Sequence, residues 1–335
     1  MPGPSIVPSV LLISGPTASG KSGLAVQLAL RLNGEIVNID SVQVYRGADI
    51  GSAKITETER LGVPHHLLDI IDPEAVWDVQ QHCQAVQAAC IAIRSRGNLP
   101  ILVGGGGLYV TALFCGLSQL PQRDVALREE LEQYPSEFLY HRLSSIDPQA
   151  AARLHVNDRQ RVIRAIEACE VGGVAQSESF ASRGEPFVRG VGLVLEPVRT
   201  MLYAQINARV DTMFEQGLEA EARALLPRCS DNPLRKAIGY SQLRDFLEGG
   251  CSLAQVVEII KRDTRRFAKR QVTYWRNEPE KRGWVRHEYR SDVAEWIKTS
   301  LREVPGTGLS FMRLSGFGKD YEMVEARFSE GCRDN

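Results

Sequence analysis

Apolar residues recur along this chain in two alternating patterns. Short β-rich runs at Val10 to Ser14, Glu35 to Ile39, His66 to Ile70, Leu99 to Val103 and Val191 to Leu195 are mostly separated by stretches of helical period. The first such stretch carries Leu24, Leu28 and Leu32 at four-residue spacing, one face of an amphipathic helix. Strands and helices alternating this way predict an α/β fold, a doubly wound parallel sheet. Between Leu120 and Pro186 the pattern changes. Helical segments at Val125 to Gln133, Ser136 to Leu143, Pro148 to His155 and Arg159 to Val171 follow one another with no strand-like run between them. Because a strand resumes at Val191, residues 120–187 read as a helical insertion in a core of residues 1–119 and 188–304. From Thr200 onward the pattern is helical nearly throughout, ending in a long segment from Leu253 to Trp275. Residues 305–335 form a Gly/Ser-punctuated tail with one helix-like stretch, Tyr321 to Phe328, and no functional signature.

Composition narrows the picture little. At 335 residues and 43% apolar content the chain can bury a large core. No apolar stretch approaches the roughly 20 residues needed to span a bilayer, and Met1 to Ser9 lack a signal peptide's basic start, so a cytoplasmic protein with no membrane partner is expected. Nothing demands more than a monomer. Seven cysteines, at 83, 90, 115, 169, 229, 251 and 332, are scattered singly and read as reduced structural thiols.

The chemistry starts directly after the first strand. Gly15-Pro16-Thr17-Ala18-Ser19-Gly20-Lys21-Ser22 has every part of a phosphate-binding P-loop. Glycines let backbone N–H groups close around phosphate oxygens, Lys21 reaches the distal charge, and Ser22 can hold Mg²⁺ while opening a helix whose dipole favours anions. Asp40 follows the second strand, where a doubly wound sheet brings strand ends to one crevice. From spacing alone it is a turn cap, a Mg²⁺ ligand or a general base. Gly47 to Lys54 is a polar, Gly-spaced loop able to close over an anion, and Gly104 to Gly107 allows close backbone approach to a ligand. Arg209 lies within a helix, where its ordinary role is a surface ion pair.

Net charge is only −1, but it hides an asymmetry: Lys261 to Arg290 holds eleven Lys/Arg against four Asp/Glu. On the long helix, Val256, Ile260, Phe267, Val272 and Trp275 form an apolar stripe, while Lys261, Arg262, Arg265, Arg266, Lys269 and Arg270 cover much of the rest. Solvated helices usually mix both signs, so this face suggests a phosphate backbone as partner, with a plain solvated face as the alternative. A smaller cluster, Arg159 to Arg164, sits in the insertion.

In order along the chain, Gly15 to Ser22, Asp40 to Gly47 with Asp49 to Lys54, His65 to Asp69, Asn157 to Ala165, Ala237 to Tyr240 and Lys261 to Gln271 resemble the tRNA dimethylallyltransferase (tRNA isopentenyltransferase) family, bacterial type. The likeness runs from about Val10 to Arg276. It implies transfer of a dimethylallyl group from dimethylallyl pyrophosphate to the exocyclic N6 of the adenosine just 3′ of the anticodon, tRNA position 37, with Mg²⁺ and release of pyrophosphate. Gly15 to Ser22 would then hold prenyl pyrophosphate rather than ATP. By the same resemblance Lys21 and Arg209 stabilise the leaving group, Asp40 is the base, and Ser22 is the metal ligand. The anticodon stem-loop would be contacted by Asp40, Ser41, Val42, Gln43 and Gly106. It would also meet Gln160, Arg161, Val162, Ile163 and Arg164, then Arg235, Lys236, Ala237, Ile238, Gly239 and Tyr240, and Lys261, Arg262, Arg265, Arg266, Lys269 and Arg270.

The chain departs from the family pattern where Gly106 replaces the usual Thr, Val156 a Pro, Ser52 a Thr and Ile55 a Pro. His65 and His66 match it, and packing or capping is their expected role. Three alternatives stay open: an isopentenyltransferase acting on free AMP, ADP or ATP, a P-loop kinase, and a noncatalytic nucleic-acid-binding relative. The helical insertion and basic helix argue against the first, because a mononucleotide needs no such surface.

Overall fold

The computed structural model describes residues 7–118, 120–121, 124–173, 175–177, 183–281, 285–287 and 307–313. Its backbone divides into two compact units, Cys115–Pro186 and the chain on either side of it.

In the larger unit, β1 (Ser9–Ser14), β2 (Gly34–Asn38), β3 (His65–His66), β4 (Leu99–Val103) and β5 (Arg189–Pro197) pair in parallel, in the order β3-β2-β4-β1-β5. The register sets Leu11 opposite Ile101 on one side and Val191 on the other. β1 is central, and all six of its residues are buried. One face of the sheet packs Leu11, Ile13, Ile36, Ile101 and Leu193 against Leu24, Leu28 and Leu32 of α1 (Lys21–Leu32). Leu12, Val37 and Leu102, which alternate to the other face, are fully buried as well. Burial on both faces is why these strands read as continuous apolar runs.

Two departures from the pattern have local causes. The run His66 to Ile70 pairs only at His65 and His66, because Leu67 and Asp69 adopt positive φ of 62° and 55° and turn the chain out of the sheet. Toward the C-terminus the chain returns as two antiparallel strands, β6 (Val285–His287) and β7 (Thr307–Arg313), which extend the sheet beyond β5. The predicted helix Tyr321 to Phe328 lies outside the described residues.

After β5 come α9 (Arg199–Glu215), α10 (Leu218–Leu225), α11 (Pro233–Lys236), α12 (Tyr240–Leu247) and α13 (Leu253–Lys281). Val210, Leu218, Leu225, Leu243, Val256 and Ile260 from these helices bury Val44, Tyr45 and Ala48 of the segment after β2. That packing fixes the backbone just beyond Asp40. The smaller unit contains α5 (Val125–Leu131), α6 (Ser136–Ile146), α7 (Pro148–Ala151) and α8 (Arg159–Gly172) around Leu131, Leu139, Leu143, Val162 and Ile166. Its buried Glu167 accepts from Arg128, Arg164 and the Asp124 N–H.

Candidate active site

Parallel pairing in the order β2-β4-β1 carries the C-terminal ends of these strands, Asn38, Val103 and Ser14, to one edge of the sheet. The chain leaves β1 through Gly15, whose φ of 142° and a distance of 2.8 Å from an added Cβ to the Leu195 carbonyl oxygen admit only glycine. Ala18 and Gly20 also take positive φ, 62° and 83°, curling the loop before α1 begins at Lys21. Ser14 Oγ donates to the Gly104 carbonyl at 2.7 Å, tying this loop to the one after β4. Ser19 Oγ is buried and has no hydrogen-bond partner among the described residues. A buried hydroxyl left so within a glycine turn fits an oxygen-rich ligand.

Lys21 Nζ donates to the Pro16 carbonyl at 2.7 Å. Burial, reinforced by the Arg209 guanidinium and opposed by Asp40, pulls its pKa from 10.5 down to about 7. Arg209, on α9, is itself lowered by burial, with Glu59 as the opposing charge. Its guanidinium makes no hydrogen bond among the described residues. Lys21, in the phosphate loop, is therefore acted on by a second cation, Arg209, and by the Asp40 carboxylate, while Glu59 opposes the charge of Arg209. Asp40 Oδ1 accepts from the Val42 and Gln43 N–H groups at 2.8 and 3.4 Å. Its other oxygen accepts from none of the described residues, so the carboxylate caps the turn with one oxygen alone.

Tyr109 of α4 (Gly107–Cys115) interacts electrostatically with Asp40, and its phenol is raised to about 12, chiefly by burial. His82 stacks edge-on against Tyr109 at 4.8 Å, accepts from Trp77 Nε1, and is held neutral by burial at a pKa of about 4. The glycines after β4 serve the protein's own packing. A Cβ on Gly104 would strike Ile39, one on Gly105 the Gln271 amide, and one on Gly107 the Tyr274 ring. Only Gly106 has room, with Tyr109 Cδ2 3.6 Å away. The side chain that this chain lacks there would be accommodated.

The loop from Gly47 to Lys54 does close over an anion, but the anion is internal. Glu221 of α10 accepts from the Asp49, Ile50 and Gly51 N–H groups at 2.9, 2.7 and 2.8 Å, and from Tyr240 Oη at 2.6 Å. Lys54 is buried against Asp49, Asp69 and the Tyr45 carbonyl. Gln43 Nε2 donates to the Ser52 carbonyl, fixing its amide toward this loop. His66 and Arg96 both donate to buried Glu35, which these bonds hold at about 2, and His65 bonds the Val63 carbonyl. Both histidines are structural, as expected.

A family model described as IPP transferase matches residues 43–278, and one described as isopentenyl transferase matches residues 8–70. The tRNA dimethylallyltransferase of Halorhodospira halophila is 45% identical over 279 residues, 80% of this chain and 90% of the relative. The chain belongs to the tRNA dimethylallyltransferase family. A crystal structure of the tRNA isopentenylpyrophosphate transferase of Bacillus halodurans, 36% identical, superposes with a TM-score of 0.61 over 97% of this chain and 98% of that one. Crystallographic snapshots of a eukaryotic dimethylallyltransferase acting on tRNA, 30% identical, give 0.66 over 80% and 69%. The family's α/β architecture is thus the one described above.

For a member of the tRNA dimethylallyltransferase family, the candidate RNA-contacting residues divide by exposure. Arg262, Arg266, Lys269 and Arg270 on α13, Lys236 on α11, and Gln160 and Arg161 on α8 are exposed. Others are spent within the fold. Val162 and Ile163 lie in the insertion's apolar core, because a helix cannot present five consecutive residues on one side. Arg164 is held by Glu167 and the Pro121 carbonyl. Tyr240 is fully buried on Glu221, Arg235 donates to the Cys229 carbonyl, Lys261 pairs with Asp211 and Glu258, and Arg265 bonds Asn207. Ala237 and Ile238 are partly buried in the core beneath α12.

Among the described residues no cluster of three or more His, Cys, Asp or Glu side chains offers a metal site. An ion here would take most of its ligands from diphosphate and water, with the exposed Ser22 hydroxyl at the helix start as the protein's donor. No helix among the described residues is long and apolar enough to cross a membrane. Gln271, which reaches the phosphate loop from α13, is not apparent from spacing. The basic residues around it draw attention to the helix's charge rather than to one neutral amide on its buried face.

Proposed function

We propose that this chain transfers a dimethylallyl group from dimethylallyl pyrophosphate to N6 of adenosine 37 in tRNA, giving N6-isopentenyladenosine and pyrophosphate. The observation that carries the reading is the pair of desolvated cations, Lys21 and Arg209, sharing the phosphate loop with a carboxylate that keeps one oxygen free. As the allylic C–O bond breaks, charge grows on the diphosphate, and cations already held together and partly shielded from water at the loop would stabilise that charge with little reorganisation. The N6–C bond forms at the same carbon, and Asp40 takes the proton released by the amine, whose lone pair is otherwise delocalised into the purine ring. Mg²⁺ held on Ser22 would further neutralise the leaving group.

The target base has to leave its stack to reach the strand ends, and a single-stranded anticodon loop makes that cheap. Exposed Arg262, Arg266, Lys269 and Arg270 support a polyanion at α13, as Gln160 and Arg161 do on the insertion. They favour tRNA over a mononucleotide as acceptor. Incubating the protein with dimethylallyl pyrophosphate and Mg²⁺ and either tRNA or AMP, followed by nucleoside mass spectrometry, tests this. Prenylated adenosine is expected from tRNA alone. Product from AMP alone, or phosphoryl transfer from ATP with none from the prenyl donor, overturns the reading.

A further inference from the structure

Gln271 sits on the buried face of the most basic helix, 7% exposed, and both ends of its amide are used on the active-site loops. Its Oε1 accepts from the Thr17 N–H at 2.8 Å, and its Nε2 donates to the Gly105 carbonyl at 2.9 Å. The two contacts lie 254 and 166 residues away along the chain, so neither is a local cap. One turn on, Tyr274 lies over Gly107 and bonds Thr111 at 2.8 Å, seating the helix on α4. Gly105 has no Cβ because the Gln271 amide and the Gly15 carbonyl occupy that volume.

The two loops joined here do different work under the proposed function, on which this inference rests. The first, Gly15 to Ser22, holds the leaving diphosphate. The second runs into α4, where Tyr109 interacts electrostatically with Asp40, the base of the proposed reaction. Among the described residues, apart from Ser14 Oγ on Gly104, Gln271 is the side chain that spans them with a hydrogen bond to each. By engaging the Thr17 N–H it also turns that amide toward the helix and leaves the later amides of the loop to the phosphates.

We infer that Gln271 is a positioning residue for prenyl transfer: its amide sets the separation between the diphosphate loop and the acceptor-side loop, and so aligns the allylic carbon with the attacking amine. A misplacement of about 1 Å between reacting atoms costs on the order of 10²-fold in rate. Binding of either substrate alone needs no such alignment.

The test is a split between turnover and binding. Gln271→Met, similar in length but unable to make either hydrogen bond, and Gln271→Asn, with the amide one methylene short, are compared with wild type. Single-turnover rates are measured with saturating tRNA and dimethylallyl pyrophosphate, alongside the KM for the prenyl donor and the Kd for an anticodon stem-loop. Rates should fall roughly 10- to 100-fold in both variants while KM and Kd stay within about 3-fold. The ratio of pyrophosphate released to prenylated RNA should rise, as water replaces the misaligned amine at the allylic carbon and yields dimethylallyl alcohol.

Unchanged rates overturn the inference, as does a loss of rate matched by an equal rise in KM, which would make Gln271 a binding residue. If the Met variant does not fold, the Asn variant decides, because it retains a buried polar group. Failure of wild type to prenylate tRNA would instead sink the proposed function, a result no Gln271 variant can mimic.

Discussion

Two backbone turns in the larger unit are shaped to receive an anion, and their contents differ. At Asp49–Gly51 three successive N–H groups converge on Glu221, and the Tyr240 hydroxyl completes its shell. At Gly15–Ser22 the positive groups are Lys21 and Arg209, Ser19 Oγ is buried without a described partner, and Asp40 touches the site from one side. Convergent amides therefore do not identify a ligand site. Cations with no carboxylate hydrogen-bonded to them do. In the first turn the protein has supplied its own counter-ion, and burial together with the Glu221 carboxylate keeps the Tyr240 phenol protonated. In the second, two partly buried cations are held together, and the pKa of both is lowered.

The largest expected effect comes from removing a cation from the unbalanced turn. Arg209→Gln should lower the single-turnover transfer rate by about 10²- to 10³-fold, roughly 3–4 kcal/mol of transition-state stabilisation. Folding should be spared, because the Arg209 guanidinium makes no hydrogen bond among the described residues and its departure relieves Lys21. A variant as fast as wild type would show that the charge in this turn is not used on the leaving group.

The opposite pattern is expected at the balanced turn. Glu221→Gln keeps the shape but removes the charge and turns an NH₂ group toward backbone donors. Loss of charge-assisted hydrogen bonds should destabilise the fold by about 2–3 kcal/mol in urea denaturation. The transfer rate per folded molecule should change far less than in Arg209→Gln. Equal stability would mean that the Glu221 carboxylate contributes no more than a neutral amide there.

This contrast also explains what could be read without coordinates. Four of the five parallel strands and the phosphate loop are written locally, in apolar runs and glycine spacing, and they appear within a residue or two of where those patterns put them, whereas β3 is cut to His65 and His66. The turn at Gly47–Lys54 is legible as an anion cradle, but its occupant is not, since Glu221 is 170 residues from Gly51. The glycines at 104, 105 and 107 signal close approach. Their neighbours Ile39, Gln271 and Tyr274 come from other parts of the fold, so the approach was open to misreading as ligand contact. Val162 and Ile163 sit within a basic cluster in sequence, and helical period alone would have turned them inward. β7 escaped notice because its pairing of Val191 with Arg313 joins distant segments. Asp40 spacing permits a cap, a Mg²⁺ ligand or a base, and in the structure one oxygen caps while the other accepts from none of the described residues.

The smallest effect probes the comparison most directly, through protons. With a pKa of about 7, Lys21 is mostly neutral at pH 8, whereas an ordinary lysine would be charged. Diphosphate brings negative charge into the turn, raises that pKa and should draw in about half to one proton at pH 8, with less at pH 6 where Lys21 already carries its charge. Calorimetry in buffers of different ionisation enthalpy measures this, and Lys21→Arg, which cannot titrate, should abolish it. The same depression has a thermodynamic sign. Between pH 7 and 10.5 the unfolded chain holds a proton that the folded one has lost, so stability without ligand should rise across that window. In Arg209→Gln, with the repulsion gone, the rise should be shallower. A flat profile in wild type would mean that Lys21 keeps its ordinary affinity for protons, leaving the open turn as balanced as the closed one.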